Sequence, residues 1–351
     1  MGNVLIYGAT GYTGRLIAEH AVERGLRPLL AGRSADTLRP LAAHLGLPYR
    51  VFELGTQAAL LRGLDGVNAV VHAAGPFSAT SRPMAEACLA AGIHYCDITG
   101  EIDVFEDLAA RDAKARVAGI VLMPGVGFDV VPSDCLAAHV AAKLPDATNL
   151  RLSIGGLSRA SRGTAKTMVE GIAQGTRVRA NGRIVLARGT PRGTADFGAG
   201  PRPTIGVSWG DVSTAWHSTG IANIDVFFEA DRNMERAANM PDLVKRALGT
   251  GFAQRFLKGQ IDRRLPPGPS LEQRLNGRAV VVATARNAAG TTIESRLTTP
   301  DPYALTALTA VESVRRIADG EVEPGFQTPS KAFGVDFVMG FEGLTRLDLQ
   351  H

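Results

Sequence analysis

Near its beginning the sequence reads Val4-Leu5-Ile6-Tyr7-Gly8-Ala9-Thr10-Gly11-Tyr12-Thr13-Gly14. An apolar run of strand length leads directly into three glycines spaced GxxGxxG, and helix-forming residues follow. Glycine suits such a turn because a Cβ would block the tight bend, the approach of a pyrophosphate and the packing of helix on strand. The helix N-terminus adds unpaired N–H groups and a partial positive charge for phosphates. The stretch therefore predicts a dinucleotide-binding turn, with Gly8, Thr10, Gly11, Tyr12, Thr13 and Gly14 as cofactor-binding candidates.

The pattern around this turn continues to about residue 125. Short apolar runs occupy 3–7, 27–31, 49–52, 68–72, 94–97 and 119–123. Amphipathic stretches near 12–25, 34–46, 56–63, 81–92 and 102–117 separate them. Strands without polar alternation, separated by helices, are typical of a parallel sheet covered on both faces. With right-handed crossovers this predicts an α/β fold containing a doubly wound Rossmann sheet.

Beyond Pro124 the alternation of apolar runs and amphipathic stretches ends. An alternating run at 149–154, the turn dipeptide Asn181-Gly182 and two β-like runs at 279–286 and 291–298 predict a mixed or antiparallel sheet. An amphipathic helix is expected at 302–319. We predict a Rossmann dinucleotide-binding domain at 1–130, an α+β substrate or dimerisation domain at 131–300, and a C-terminal helical segment at 301–351 that packs back on the Rossmann domain.

Composition and charge exclude several functions. The formal net charge is only +4, and no lysine-rich tail suggests nucleic acid. The three cysteines show neither CxxC nor metal-ligand spacing, so no metal site is expected. No apolar run is long enough to span a bilayer, and the early strand leaves no room for a signal peptide. We expect a soluble, cytoplasmic protein; the sequence allows a homodimer without specifying one.

The end of the second predicted strand indicates which dinucleotide is bound. An NAD-specific site usually places an acid there, whereas this chain has Arg33 and Ser34. Because a guanidinium can hold a 2′-phosphate by two charge-assisted bonds, the pair predicts NADP(H). The alternative is that Arg33 is a solvated residue at a helix start. After the fourth strand, Ala74-Gly75-Pro76-Phe77 completes the predicted cofactor site, with Phe77 either a wall for the nicotinamide or part of the core.

Candidate proton donors come from two further clusters. No tyrosine is followed by lysine four residues later, which excludes the Tyr-x-x-x-Lys mechanism of short-chain dehydrogenases. The clusters Tyr95–Glu101 and Phe128–Asp134 each follow a predicted strand at the ligand-binding edge, and their carboxylates Asp97, Glu101 and Asp129 are the catalytic candidates. The alternative is structural, because acids and hydroxyls in both clusters would cap the helices that follow.

Four of these motifs, in order, resemble those of the saccharopine dehydrogenase-like oxidoreductase family. They are the glycine turn, Ala74–Phe77, Ala91–Glu101 and Gly127–Asp134, with a fainter likeness at Gly325–Ser330. The family includes saccharopine reductases and trans-acting enoyl reductases. The resemblance implies a Rossmann domain, nicotinamide binding and hydride transfer to or from a C=N or C=C bond of a small-molecule substrate.

The middle of the chain gives one indication about that substrate. Between 151 and 202 lie ten Lys and Arg residues but only Glu170 and Asp196. Such a concentration is consistent with an anionic or carrier-linked substrate. The alternative, which the sequence favours slightly, is that these arginines lie on the outer face of a hairpin. Lys166 and His217 are further proton-donor candidates. The leading hypothesis is an NADP(H)-dependent reductase; the alternative is a non-catalytic NADP(H)-binding sensor or scaffold.

Overall fold

The computed structural model describes residues 3–157, 161–171 and 175–349. They form two compact units. The first contains the described residues up to Val131 together with Tyr303–Val338, and the second contains Pro132–Pro302 together with the described residues from Met339 onward. The C-terminal segment that we predicted as one piece is thus divided between the units. The predicted division into domains at 1–130, 131–300 and 301–351 stays a prediction.

The elements follow one another in this order. The first part contains β1 (Val4–Tyr7), α1 (Tyr12–Glu23), β2 (Leu29–Gly32), α2 (Ala35–Leu45), β3 (Tyr49–Val51), α3 (Gln57–Gly63), β4 (Ala69–His72), α4 (Phe77–Ala91), β5 (His94–Asp97), α5 (Ile102–Ala109), α6 (Asp112–Ala118) and β6 (Val121–Met123). The middle contains α7 (Val131–Lys143), β7 (Ala147–Gly155), α8 (Arg162–Gly171), β8 (Arg177–Ala180), β9 (Arg183–Leu186), β10 (Arg192–Asp196), β11 (Pro201–Gly206), α9 (Asp211–Thr219), β12 (Asn223–Glu229), α10 (Arg232–Ala238), α11 (Asp242–Leu248), α12 (Gly251–Arg264), α13 (Leu271–Asn276), β13 (Arg278–Asn287) and β14 (Thr292–Pro300). The end contains α14 (Pro302–Ala318), β15 (Gly325–Phe326), α15 (Pro329–Phe333), a 3₁₀ turn (Phe337–Gly340) and β16 (Thr345–Leu349).

The first unit is built on a parallel sheet in the order β3-β2-β1-β4-β5-β6-β15. Every described pair in it is parallel, and the direction of the strand order reverses between β1 and β4. In open α/β sheets, ligands bind outside the carboxyl ends of the strands at such a reversal. The predicted doubly wound Rossmann sheet is confirmed. Two helices differ in detail: α4 begins at Phe77 rather than near 81, and the stretch predicted at 102–117 breaks into α5 and α6.

Apolar residues cover both faces of this sheet. On one face, side chains of α1, α2 and α14 pack together, including Ile17, Leu38, Val311 and Val314. On the other face, α3, α4 and α5 contribute Leu60, Met84, Val104 and Leu108. The helix predicted at 302–319 is therefore part of the core of the dinucleotide unit, about 180 residues beyond β6 in the chain.

The second unit is built on a mixed sheet in the order β10-β11-β12-β7-β13-β14-β16, with the β8–β9 hairpin joined to it through β12. Strands β7 and β12 are parallel, and the remaining described pairs are antiparallel. The predicted hairpin turn is present: Asn181 has φ 49° and Gly182 has φ 77°, as a two-residue type I′ turn requires. The predicted second sheet is confirmed. Over the ranges described, no helix is both long and apolar enough to cross a membrane.

Candidate functional site

The glycine turn forms a cradle from which side chains are sterically excluded. Gly8 has φ +84°, and a Cβ there would lie 2.9 Å from the carbonyl carbon of Ala73, beyond β4. A Cβ on Gly14 would lie 2.2 Å from the carbonyl oxygen of Gly8. The Gly8 amide donates to the Ala31 carbonyl oxygen of β2 at 2.9 Å. The turn thus packs closely against β1, β2, β4 and α1, and only glycine fits at these two positions.

The remaining residues of the turn start α1. Thr10 and Gly11 are exposed, and Gly11 precedes the helix in an extended conformation. The first backbone N–H groups of a helix lack intrahelical acceptors, so those of Tyr12, Thr13 and Gly14 are oriented to bind a pyrophosphate. The Tyr12 ring packs edge-on against Tyr303 of α14, with 5.2 Å between ring centroids. The cradle therefore fits a dinucleotide.

Arg33 and Ser34 lie between β2 and α2, and both are exposed. Within the described part of the chain, the Arg33 guanidinium forms no hydrogen bond or ion pair. It lies close enough to β1 to affect Tyr7, whose pKa is raised by burial and partly lowered again by the Arg33 charge. Ser34 precedes α2 without a capping bond from its side chain. Both side chains are thus available to a 2′-phosphate, and their assignment to NADP(H) specificity stays a prediction.

The loop Ala74–Phe77 connects β4 with α4. The Gly75–Pro76 peptide is cis, and the Thr80 hydroxyl donates to the Ala74 carbonyl oxygen at 2.7 Å. Gly75 and Pro76 are exposed beside the cradle. The Phe77 ring instead packs edge-on against buried His72, with centroids 5.6 Å apart. This contact favours the core alternative for Phe77, while the exposed backbone before it remains the candidate nicotinamide surface.

Glu101 caps α4. Its two carboxylate oxygens accept the backbone amides of Phe77 at 3.0 Å and Ser78 at 2.8 Å. An anion is stabilised at a helix N-terminus by the unpaired amides and the helix dipole. The capping alternative was expected to act on the helix that follows Glu101. The structure places the carboxylate on the helix that precedes it, where it fixes the Ala74–Phe77 loop.

Asp97 connects the ends of two strands. Its side chain is fully buried. One carboxylate oxygen accepts the amides of Thr99 and Gly125, both at 3.0 Å, and the other accepts the Tyr95 hydroxyl at 2.7 Å. Burial raises the pKa of Asp97 to about 6, although these hydrogen bonds act in the opposite direction. The geometry favours a structural role, because Asp97 holds the loops after β5 and β6 together and is not accessible to a substrate.

Asp129 lies in the loop between β6 and α7 and is partly buried. A Cβ on Gly100 would lie 3.0 Å from the Asp129 Oδ2 atom, so the two predicted carboxylate clusters meet here. Burial raises the pKa of Asp129 to about 7. A carboxyl group that is partly protonated near neutral pH is suited to general acid–base catalysis. Of the three catalytic candidates, Asp129 is the one that combines a raised pKa with partial exposure, and its catalytic role stays a prediction.

Two threonines of α14 hold the loop before Asp129, and the sequence reasoning missed both. The Thr306 hydroxyl oxygen accepts the Phe128 amide at 2.9 Å, and the Thr309 hydroxyl donates to the Val126 carbonyl oxygen at 2.8 Å. Both threonines are buried. The available signal was a pair of hydroxyls, three residues apart, on the buried face of α14. Because buried polar groups need hydrogen-bond partners, this pair could have predicted contacts with another segment.

His72, at the end of β4, was also missed. It is fully buried, and neither ring nitrogen has a hydrogen-bond partner among the residues that the structure describes. The rings of Tyr7, Phe77 and Tyr95 surround it at centroid distances of 5.6–6.2 Å. Desolvation lowers the pKa of His72 to about 3, so the imidazole is neutral.

The candidates in the second unit have partners of their own. Lys166 pairs with Asp262 at 2.7 Å, and His217 lies on α9. Buried Arg179 donates to the carbonyl oxygens of Val212 and Gly182, both at 2.8 Å. The arginine-rich stretch is thus partly structural; its member Arg159 lies outside the described residues. No group of three or more His, Cys, Asp or Glu side chains suited to a metal occurs in the described ranges.

Comparison with known proteins identifies the first unit. Residues 4–123 match the family model described as the saccharopine dehydrogenase NADP binding domain. Residues 4–123 are thus similar to a saccharopine dehydrogenase-type NADP-binding domain. The match confirms the predicted resemblance and the predicted NADP(H) cofactor, and it spans β1 to β6. The matched segment contains the cradle, the Ala74–Phe77 loop and the Asp97–Glu101 cluster.

Sequence relatives match a similar length of the chain. A trans-acting enoyl reductase of Mycobacterium leprae is 37% identical over 142 residues, which cover 38% of this chain and 34% of that protein. A trans-acting enoyl reductase of Mycobacterium tuberculosis (strain H37Rv) is 34% identical over 142 residues, with the same coverage of 38% and 34%. The match thus spans about a third of the length of these curated relatives.

A solved structure resembles the chain over its whole length. The apo, histidine-tagged saccharopine dehydrogenase (L-Glu forming) of Saccharomyces cerevisiae has a TM-score of 0.66, with 100% of both chains covered and 13% identity. At this identity the likeness is one of fold alone. It confirms the α/β class with a second, mixed-sheet unit after the NADP-binding domain.

Proposed function

We propose that this chain is an NADP(H)-dependent reductase that acts on a C=C bond conjugated to a thioester carbonyl. The observation that carries the proposal is the position of Asp129, a partly buried carboxyl group with a pKa of about 7, at the same edge as a glycine cradle built for a dinucleotide. The sequence relatives named trans-acting enoyl reductases support the bond type.

The chain's own residues bind and orient the reactants. When bound, the nicotinamide supplies a hydride, which requires a proton to complete the reduction. Gly8 and Gly14 let the pyrophosphate approach the backbone, and Arg33 binds the 2′-phosphate. Glu101 keeps the N-terminus of α4 in place, so the Ala74–Phe77 loop presents its exposed backbone to the nicotinamide.

Asp129 donates the proton. Asp97 is buried in three hydrogen bonds, and Glu101 is engaged by two amides, which makes both unsuitable as donors. After hydride addition to the β-carbon, the protonated Asp129 side chain gives its proton to the α-carbon and is left as a carboxylate. Thr306 and Thr309 fix the preceding loop and so set the position of the carboxyl group. In the oxidative direction, the same carboxylate accepts the proton.

The substrate in this proposal is a small acyl group on an anionic carrier, either CoA or a phosphopantetheine-bearing carrier. The positive stretch at 151–202 supports an anionic group, and the name of the sequence relatives supports an enoyl substrate. The family resemblance implied reduction of either a C=N or a C=C bond, so a C=N substrate is the second candidate. The fold likeness to saccharopine dehydrogenase carries no argument about the bond.

The experiment follows NADPH consumption with a panel of enoyl-CoA thioesters and preformed imines. Turnover of an enoyl thioester is expected, with kcat/KM falling above pH about 7 as Asp129 loses its proton. Asp129→Asn should lower kcat by at least about a hundredfold while NADPH affinity is retained. Asp103→Asn, which removes an exposed carboxylate from α5, is the matched control. Tight NADPH binding with no turnover across the panel would instead support the sensor or scaffold alternative.

A further inference from the structure

Large apolar side chains are exposed along the helical part of the second unit. The described residues include fifteen large hydrophobic side chains that are exposed, and seven of them lie between 243 and 275: Leu243, Val244, Phe252, Phe256, Leu265, Leu271 and Leu275. Leu243 is 80% exposed and Phe252 is 78% exposed. Scattered exposed apolar residues are normal, whereas a concentration of them marks an interaction surface. We call residues 241–276 the helical surface.

Three polar side chains of helix α12, at the centre of the helical surface, bind to residues of α8. Gln254 donates to the Val169 carbonyl oxygen of α8 at 2.9 Å, Lys258 pairs with Glu170, and Asp262 pairs with Lys166 at 2.7 Å. None of the described side chains of α12 is buried. A helix at the surface of a globular protein normally packs its apolar stripe inward. In α12, Leu257 and Ile261 are partly buried, whereas Phe252 and Phe256, one helical turn apart, are exposed.

The same segment has an excess of positive charge. The helical surface contains seven Lys and Arg residues against three Asp and Glu. Arg255 and Arg263 are exposed. Their spacing from Phe252 and Phe256 is that of residues on one helix face.

Aromatic side chains on a basic helix face indicate an anionic lipid surface. Interfacial helices insert Phe, Leu or Trp at the boundary between headgroups and acyl chains, while Lys and Arg contact anionic headgroups. A second copy of the chain fits less well, because a twofold contact would bring the same cationic patches together. We propose that the helical surface docks the protein on membranes that contain anionic lipids, with Phe252 and Phe256 as the inserting side chains. This inference is independent of the proposed reductase activity.

The test is co-sedimentation of the full chain with lipid vesicles. The protein should bind vesicles that contain phosphatidylglycerol and should bind pure phosphatidylcholine vesicles much more weakly. The double variant Phe252→Ser/Phe256→Ser should lower binding by about tenfold, because the inserting apolar area is lost. Arg255→Gln and Arg263→Gln should each lower it by about fivefold, and added salt should weaken the wild type in the same way.

Val117→Ser is the matched control, since Val117 is 91% exposed but lies in the first unit. It should bind vesicles like the wild type. The exposed positions of all five substituted side chains predict unchanged cooperative unfolding, which circular dichroism checks. Absence of wild-type binding to anionic vesicles would overturn the proposal. Vesicle binding by the phenylalanine double variant equal to that of the wild type would also overturn it. A third contrary result would be self-association of the wild type without lipid, measured by sedimentation velocity, that the double variant abolishes.

Discussion

Replacing Arg33 with Ala tests the basis of cofactor selectivity. In the free protein its guanidinium is exposed and has no hydrogen bond or ion pair with any residue described. Its removal should therefore leave the free energy of unfolding within about 0.5 kcal/mol of wild type, as for an ordinary surface substitution. The whole effect should be on the complex with NADPH, where the guanidinium binds a doubly charged phosphate.

The magnitude follows from the geometry of the position. A hydrogen bond to a charged group contributes about 1.5–3 kcal/mol, and a guanidinium can form two. Because Arg33 is exposed and screened by water, we take the contribution of a single such bond. Arg33→Ala should then raise the Kd for NADPH by about ten- to a hundredfold and leave the Kd for NADH within about twofold.

Isothermal titration calorimetry with each dinucleotide measures both constants. Arg39→Ala is the matched control, because Arg39 is an exposed arginine within α2 and its replacement removes the same charge. It should change neither Kd by more than about twofold. An equal loss of NADPH and NADH affinity in Arg33→Ala would refute the assignment of the 2′-phosphate to this side chain.

Three further predictions concern the cradle and its supports. Gly14→Val should abolish binding of both dinucleotides in calorimetry, because its Cβ would lie 2.2 Å from the Gly8 oxygen; unchanged affinity would place the cofactor elsewhere. Glu101→Ala should lower the free energy of unfolding by about 1–2 kcal/mol in urea titrations, with exposed Glu53→Ala as the control, since only Glu101 caps α4. His72→Leu should be at least as stable as wild type at pH 7, because it removes a buried imidazole without partners. The pKa of His72 is lowered from 6.5 to about 3, so the unfolded state binds one proton more between these values and wild-type stability falls as pH decreases through this range; a variant with the same acid sensitivity would contradict this.

The sequence predicted six of the seven strands of the first sheet to within two residues, because each of them is a short apolar run bounded by turn residues; β15 was not predicted. The run predicted at 94–97 is the strand β5 itself, and the predicted helix at 302–319 ends one residue earlier, at Ala318. The start of α4 was misplaced by four residues. The cap that stabilises its first turn comes from Glu101, which lies beyond β5 and outside the local sequence pattern.

For the candidate site, the sequence predicted which residues meet but not what each one does. The glycine turn and the loops after β4, β5 and β6 lie at one edge, as a parallel sheet requires. The difference between Asp97 and Asp129 depends on depth: the first is fully buried in three hydrogen bonds, and the second is partly buried beside Gly100. Thr306 reaches the Phe128 amide across a separation of 178 residues, a contact that no local pattern contains.

The return of α14 to the first unit has a consequence for biosynthesis. Val311 and Val314 complete the apolar layer that α1 and α2 begin, and β15 adds the outermost strand beside β6. A ribosome must therefore release more than three hundred residues before the nucleotide-binding unit can close, since Phe326 follows the segment Pro132–Pro302 of the second unit in translation order. Until then the nascent N-terminal part exposes this apolar layer, so maturation of this protein is expected to be largely post-translational.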